Sequence, residues 1–354
     1  METATHVRHA AFRARAVVTE TELDEMLSAP RAETVEALRN CPGDIVVLGA
    51  GGKMGPTVAR MAARAAAQVG DGRRVFAVSR FSSPNVARAL GGAGVETVAC
   101  DLLDRDAVAA LPDAPNVIFM AGQKFGTSDA PATTWAMNTI VPAICAERYR
   151  AAHLIAFSTG NVYRLTPVDS GGAREDDPVG PIGEYAASAL GRERVIEFYS
   201  ARYQTLAAII RLNYAIDLRY GVLADIGLRV WRGQAVSLAM GHVNVIWQGD
   251  ASRIAIESLA RATTPPFVVN VTGTETLAVR DIAGAFAAAF GKPVRFKGKE
   301  RADALLSNTD RMRASFSPPE VSLETMIAWL SDWIRADGPM LDKPTHFEER
   351  SGKF

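Results

Sequence analysis

Asp44-Ile45-Val46-Val47-Leu48-Gly49-Ala50-Gly51-Gly52-Lys53-Met54-Gly55 decides how this chain is read. An apolar run of strand length leads into three glycines spaced G-x-x-G-x-x-G, and the helical pattern Val58 to Ala67 follows. A pyrophosphate approaches a backbone closely only where side chains are absent. The start of the next helix then offers it unpaired N–H groups and a positive dipole end. Gly49 is expected to permit the tight turn, Gly52 the approach of the phosphates, and Gly55 close packing of helix on strand. With strand, loop and helix in that order, the stretch reads as a dinucleotide-binding fingerprint rather than a plain turn. Gly51, Lys53 and Met54 belong to the same cofactor-contacting loop.

From there apolar strands and helices alternate. Strands are expected at Val75–Val78, Val95–Cys100, Val117–Ala121, Leu154–Ser158 and Leu206–Arg211. Helices are expected at Asn85–Leu90, Arg105–Leu111, Thr133–Arg150 and Glu184–Tyr203. Continuous apolar strands interleaved with helices imply an α/β fold, a doubly wound parallel sheet with its ligand at the carboxyl ends of the strands. After Arg211 the rhythm breaks into longer loops and helices at Val222–Trp231, Ser252–Ala260, Val279–Phe290 and Leu323–Ile334, with one further strand at Phe267–Val271. The expected division is an N-terminal extension (1–43), a dinucleotide-binding domain (44–211), a smaller, partly discontinuous substrate lobe (212–340) and a tail (341–354). The extension carries helical candidates at Glu20–Leu27 and Ala32–Arg39.

With 354 residues the chain is long enough for a large core, and its 39 basic and 39 acidic residues give no basic excess to suggest nucleic acid or an anionic membrane. Cys41, Cys100 and Cys145 are widely spaced and form no metal-ligand pattern, so no metal is expected and a reducing compartment fits. No apolar run reaches transmembrane length. The first fifteen residues are rich in arginine without the serine-rich pattern of a transit peptide, so the expected location is cytoplasmic.

Past the glycines, the second strand ends Ser79-Arg80 where an acidic residue would receive both hydroxyls of an adenosine ribose. A hydroxyl and a guanidinium suit a 2′-phosphate, which favours NADP over NAD. Asp101-Leu102 follows the third strand, where the carboxylate would accept from the adenine amino group or else cap the next helix.

These pieces, taken in order, resemble the extended short-chain dehydrogenase/reductase family, also called the NAD-dependent epimerase/dehydratase family. The resemblance rests on the glycine loop, Asp101-Leu102, Phe119-Met120-Ala121-Gly122, Asn138, Ser158-Thr159-Gly160-Asn161-Val162-Tyr163 and Tyr185-Ala186-Ala187-Ser188-Ala189, and spans about residues 44 to 335. It implies a Rossmann sheet with Ala121 and Gly122 lining the cofactor and Asn138 orienting helix and water. Thr159 would polarise the substrate oxygen and Tyr185 would be the general acid/base, also facing the cofactor. Members that dehydrate place acidic residues directly after the threonine, which Gly160-Asn161 does not match. A homodimer through Thr133–Arg150 and Glu184–Tyr203 is the family's usual arrangement.

One position departs from the pattern. The family's tyrosine is followed four residues later by a lysine that holds the ribose and lowers the phenol pKa, and here that position is Ala189. Ser188 and Glu193 sit where the family has them, so a shift of register supplies no lysine. An unassisted phenol of pKa ~10 is ionised in about one molecule in a thousand at neutral pH. Lys124, on the loop after the fourth strand, and Arg192, two turns past Tyr185, are the cations placed to compensate, and Lys124 is the favoured one. Lys124, Asn161, Asn213, Arg219 and His242 are expected on the substrate, with Tyr214, Tyr220, Asn244 and Trp247 near them. Arg211 opens the same stretch, and Asp250 reads as a helix cap. The function these residues suggest is hydride transfer between NAD(P) and a sugar or sugar-acid-like alcohol, by oxidation or epimerisation. The competing reading, carried by Ala189, is a cofactor-binding sensor or scaffold without catalysis.

Overall fold

The computed structural model describes residues 19–124, 126, 127, 129–341, 343 and 345–353; the arginine-rich start of the extension lies outside the described residues. Seven strands form the central sheet: β1 (Ile45–Leu48), β2 (Val75–Ser79), β3 (Glu96–Ala99), β4 (Asn116–Phe119), β5 (His153–Thr159), β6 (Ala207–Leu212) and β7 (Phe267–Val271). All pairings are parallel, in the order β7-β6-β5-β4-β1-β2-β3. The chain runs outward from β1 to β3 and then crosses back to β4, so the switch point lies between β1 and β4. A crevice opens there at the carboxyl ends of the strands. Leu48 is in register with both Val78 and Phe119, so Gly49, Ser79 and Met120 leave the sheet side by side.

Strand residues alternate between two cores, as a sheet covered on both faces requires. Val47, Ala77, Ile118, Ile155 and Ile210 pack with the helices Gly55–Val69 and Gln248–Glu257. Val46, Val78, Val117, Leu154 and Ile209 pack with the helices Val141–Arg148 and Gly183–Tyr203. A third cluster lies beyond the sheet and joins the helices Val222–Trp231, Val279–Phe290 and Leu323–Arg335. Leu23 and Leu27 from helix Glu20–Leu27 are fully buried in it, and so is Phe347 of the tail. β7 returns to the sheet from the midst of this second half.

The helix expected over Thr133–Arg150 is broken into Pro131–Trp135, a π segment Ala136–Ile140, and Val141–Arg148. Pro142 has no N–H to return to the carbonyl four residues back, which is that of Asn138, and a wider turn accommodates the gap. Asp104, not Asp101, caps helix Arg105–Ala109, accepting from the amides of Asp106 and Ala107. Asp250 is not the cap expected of it. It lies within the first turn of Gln248–Glu257, pairs with Arg31 at 2.6 Å, and accepts from the amides of Glu320 and Val321.

Candidate active site

The glycine loop turns where Gly49 adopts φ +86°, and a side-chain carbon there would lie 2.5 Å from the backbone nitrogen of Ala121. Gly55 meets Ala50 as closely, which lets its helix sit directly on β1. Gly52 differs: the nearest atom to a carbon built there is the Gly49 carbonyl at 3.4 Å, so the fold leaves that side of the loop open for a ligand. Gly49, Gly51, Gly52, Ser79, Arg80, Asp101, Leu102, Ala121 and Gly122 line one cleft of about 270 Å³ at the switch point. A dinucleotide fits these residues. The loop gives it backbone at close range, Arg80 stands exposed at the rim, and Asp101 presents a carboxylate whose Oδ1 also receives the Leu103 amide. Met54 precedes the helix as its N-cap residue, while Lys53 turns to the other side of the loop.

At the end of β5, Thr159 Oγ1 accepts from both the backbone amide and Nδ2 of Asn161, at 3.2 and 3.0 Å. A hydroxyl has one proton to give, and with two donors already pointed at its oxygen that proton is directed to Tyr185, to which Thr159 is hydrogen-bonded. Burial pushes the Tyr185 phenol above its ordinary pKa, against the opposing pull of that bond and of the Arg192 guanidinium. Arg192 is 7% exposed and donates to the Phe157 carbonyl at 2.7 Å and to Asn138 Oδ1 at 2.6 Å. Asn138, fully buried, also accepts from the Gln123 amide and donates to the Gln123 carbonyl and to Ser188 Oγ. Gly122 is required beside this group, because a side chain there would overlap the guanidinium.

Ala189 is wholly buried against Val162, Tyr163 and Ala173 in a small dry cluster. Lys124 lies with its Nζ 5.8 Å from the centre of the Tyr185 ring. Of the two cations read as substitutes for the missing lysine, the Arg192 guanidinium pulls the phenol pKa down, and Lys124 lies over the ring. Burial lowers the Lys124 pKa to about 8, opposed by Asp225. Lys53 sits 3.3 Å above the centre of the Tyr220 ring. Burial, then Lys124 and Lys343, bring Lys53 down to about 7 against the pull of Asp225. No local pattern marks Lys53, Lys124, Tyr220 and Asp225 as neighbours, since they come from four separate segments.

Other substrate-side expectations land elsewhere. Arg219 is held by Asp217 at 2.9 Å, Asp24 at 3.0 Å and Glu20 at 3.5 Å, which ties helix Glu20–Leu27 to the loop after β6. Trp247 is buried edge-on against Trp329, 5.5 Å between centres. Asn213 is buried and donates to the Leu305 carbonyl, and Asn244 bridges Glu275 and Ser307. His242 lies half-buried in a two-residue strand paired with Leu277–Ala278. Arg211 makes a bidentate pair with Glu193 and donates to the Tyr163 hydroxyl.

Residues 45–215 match the family model described as the NAD dependent epimerase/dehydratase family. Among solved structures, the UDP-glucose 4-epimerase of Thermotoga maritima, with UDP-glucose, is 20% identical with a TM-score of 0.68, covering 83% of this chain and 99% of its own. The Thermus thermophilus UDP-glucose 4-epimerase with NAD is 21% identical with a TM-score of 0.67, covering 82% and 99%. A dTDP-glucose 4,6-dehydratase of Streptomyces venezuelae, with NAD, is 19% identical with a TM-score of 0.70, covering 82% and 97%. At such identities the likeness shows a common fold. No curated protein matches the chain.

Proposed function

The chain belongs to the NAD dependent epimerase/dehydratase family over residues 45–215, a family of enzymes, and from that premise we propose that it moves a hydride between a nicotinamide dinucleotide and a carbinol or ketone of a sugar-type substrate. A bound nicotinamide would supply the hydride acceptor. Tyr185 then takes or returns the hydroxyl proton, while Thr159 holds the same oxygen as it becomes a ketone. The observation that carries this reading is the Thr159–Tyr185 hydrogen bond beside the cleft lined by Ala121 and Gly122. Asn138 and Arg192 fix the helix under Tyr185, and Arg192 lends the phenol positive charge.

The Lys53–Lys124 pair supports a substrate bearing an anionic group, a nucleotide diphosphate or a sugar carboxylate, on the side away from the adenosine cleft. Arg80 supports a preference for NADP. Exposed Trp135 and Ile140 on the broken helix after β4, and Phe198 on the helix that carries Tyr185, support a homodimer. Incubating the cofactor-loaded protein with UDP-sugars and sugar acids, and following both nicotinamide absorbance and product stereochemistry by NMR, tests the reaction. The second reading, a cofactor-binding sensor, is favoured by the dry packing of Ala189 and the raised Tyr185 pKa. Tight cofactor binding without turnover or exchange over that panel would establish it.

A further inference from the structure

The tail runs across the substrate side of the site rather than away from it. Thr345 donates to Asp225 Oδ2 from its backbone amide at 2.8 Å and from its hydroxyl at 2.5 Å. Phe347 is 2% exposed in the second core, and its carbonyl receives the Tyr214 hydroxyl at 3.4 Å. Arg350 pairs with Asp303 and reaches the Ala239 carbonyl at 3.2 Å. Gly352 then crosses Ile182-Gly183, the residues that open the helix carrying Tyr185. Gly183 at φ +82° and Gly352 at φ +76° touch backbone to backbone, and a side chain on either would overlap the other strand of the crossing.

We propose that Thr345–Gly352 is a working wall of the active site, and that Thr345 is a positioning residue which holds Asp225 as the counter-charge to Lys53 and Lys124. The inference rests on the functional reading only for the word "active"; its tests need no substrate. Asp225 lies on helix Val222–Trp231 with Arg229, under the field of Glu348 from the tail. Among the described residues, Lys53 from the glycine loop, Lys124 from the loop after β4, and Tyr220 from the loop after β6 are the other charged or titratable groups that feel it. Lys343 acts on the group through Lys53. Burial raises the Asp225 pKa, and the two Thr345 donors oppose that rise by favouring the carboxylate. With the hydroxyl donor removed, Asp225 holds its proton to higher pH, and the lysines lose part of the charge that keeps them protonated.

The test is residue-resolved titration of the lysines in the intact, cofactor-loaded chain, by pH-dependent reductive methylation read by mass spectrometry. Thr345→Val is expected to lower the Lys53 midpoint by about half a pH unit or more, and Thr345→Ser to leave it unchanged. An unchanged midpoint in Thr345→Val overturns the positioning role. Gly352→Val, which unseats the crossing without touching the core, is expected to raise hydrogen exchange at Ile182–Tyr185 at least about tenfold and to leave β1 and β4 protected. Unaltered exchange there overturns the wall.

Discussion

Arg192 spans from Asn138 Oδ1 at 2.6 Å to the Phe157 carbonyl at 2.7 Å, passing under Gly122 as it does so. A buried cation with no carboxylate directly bonded is costly unless its donors find acceptors. These two each accept from one terminal nitrogen, while Nε is buried without a hydrogen bond among the described residues. The same contacts join β5, the π segment and the helix of Tyr185, so the charge that acts on the phenol is fixed by the fold. Arg192→Met is expected to destabilise the protein by about 1–3 kcal/mol, since it leaves Asn138 and Phe157 short of a donor. It also moves the limb of the pH–rate profile set by Tyr185 to higher pH, because the phenol loses the downward pull of the guanidinium. Chemical denaturation and a pH–rate profile on the same preparation measure both.

The glycine loop separates folding from binding. Gly52→Ala meets only the Gly49 carbonyl at 3.4 Å, an ordinary contact, so the melting temperature should stay within about 2 °C, while NAD(P)H affinity falls about tenfold or more. Gly55→Ala drives a methyl into Ala50 and should cost about 1–3 kcal/mol of stability. Equal melting losses in the two variants would contradict the division of roles.

Replacing Ala189 by lysine is expected to damage the protein, not to restore a lost lysine. The site is walled by Val162, Tyr163 and Ala173, and an unpaired ammonium there costs about 2–5 kcal/mol. Gained turnover in Ala189→Lys would show that the dry cluster opens toward the cofactor.

Cofactor choice turns on the rim of the cleft. Arg80→Ala should weaken NADP binding by about tenfold or more relative to NAD, the worth of one charge-assisted hydrogen bond. Titrating both cofactors by fluorescence quenching gives the ratio, and an unchanged ratio would make Arg80 an ordinary surface charge.

The lysine pair sets a pH dependence with a definite sign. Lys53 titrates at about 7 and Lys124 at about 8 in the folded protein, both below the unfolded value. Between these values and about pH 10 the unfolded chain binds more protons, so stability at these positions rises with pH. A rise in melting temperature between about pH 6.5 and 9 is therefore expected of the unaltered protein, and Lys53→Met should flatten it. Affinity for anionic ligands runs the other way, weakening as pH passes 7 to 8.

What the sequence disclosed was what is local. The glycine loop and the apolar strands each lie within a few residues, and their roles follow from backbone geometry. Thr159, ending β5, and Tyr185, in the helix Gly183–Tyr203, were legible instead through the resemblance of the short segments around them. Arg219, Trp247 and Asp250 were illegible because Asp24, Trp329 and Arg31 decide what they do, and those partners lie far away in the chain. Helix Glu20–Leu27 read as part of an extension, yet its leucines complete the second core, a fact its amphipathic pattern cannot assign to any partner. Pro142 was a visible signal for the broken helix and its wide turn at Asn138; what it did not reveal was that Asn138 there joins Arg192, Gln123 and Ser188.

That wide turn sets the phase between two rods. Trp135 lies just before it and donates to Glu184 at 2.6 Å, while Thr139 within it packs where Gly191 leaves room. A π turn carries one residue more than the α turn it replaces, so everything on its amino side is rotated by about 100° from an unbroken helix. Tightening Ala136–Ile140 by a single residue would swing Trp135 away from Glu184 while leaving Val141–Arg148 on the sheet. The alignment of the two helices beside Tyr185 is thus indexed by one inserted residue.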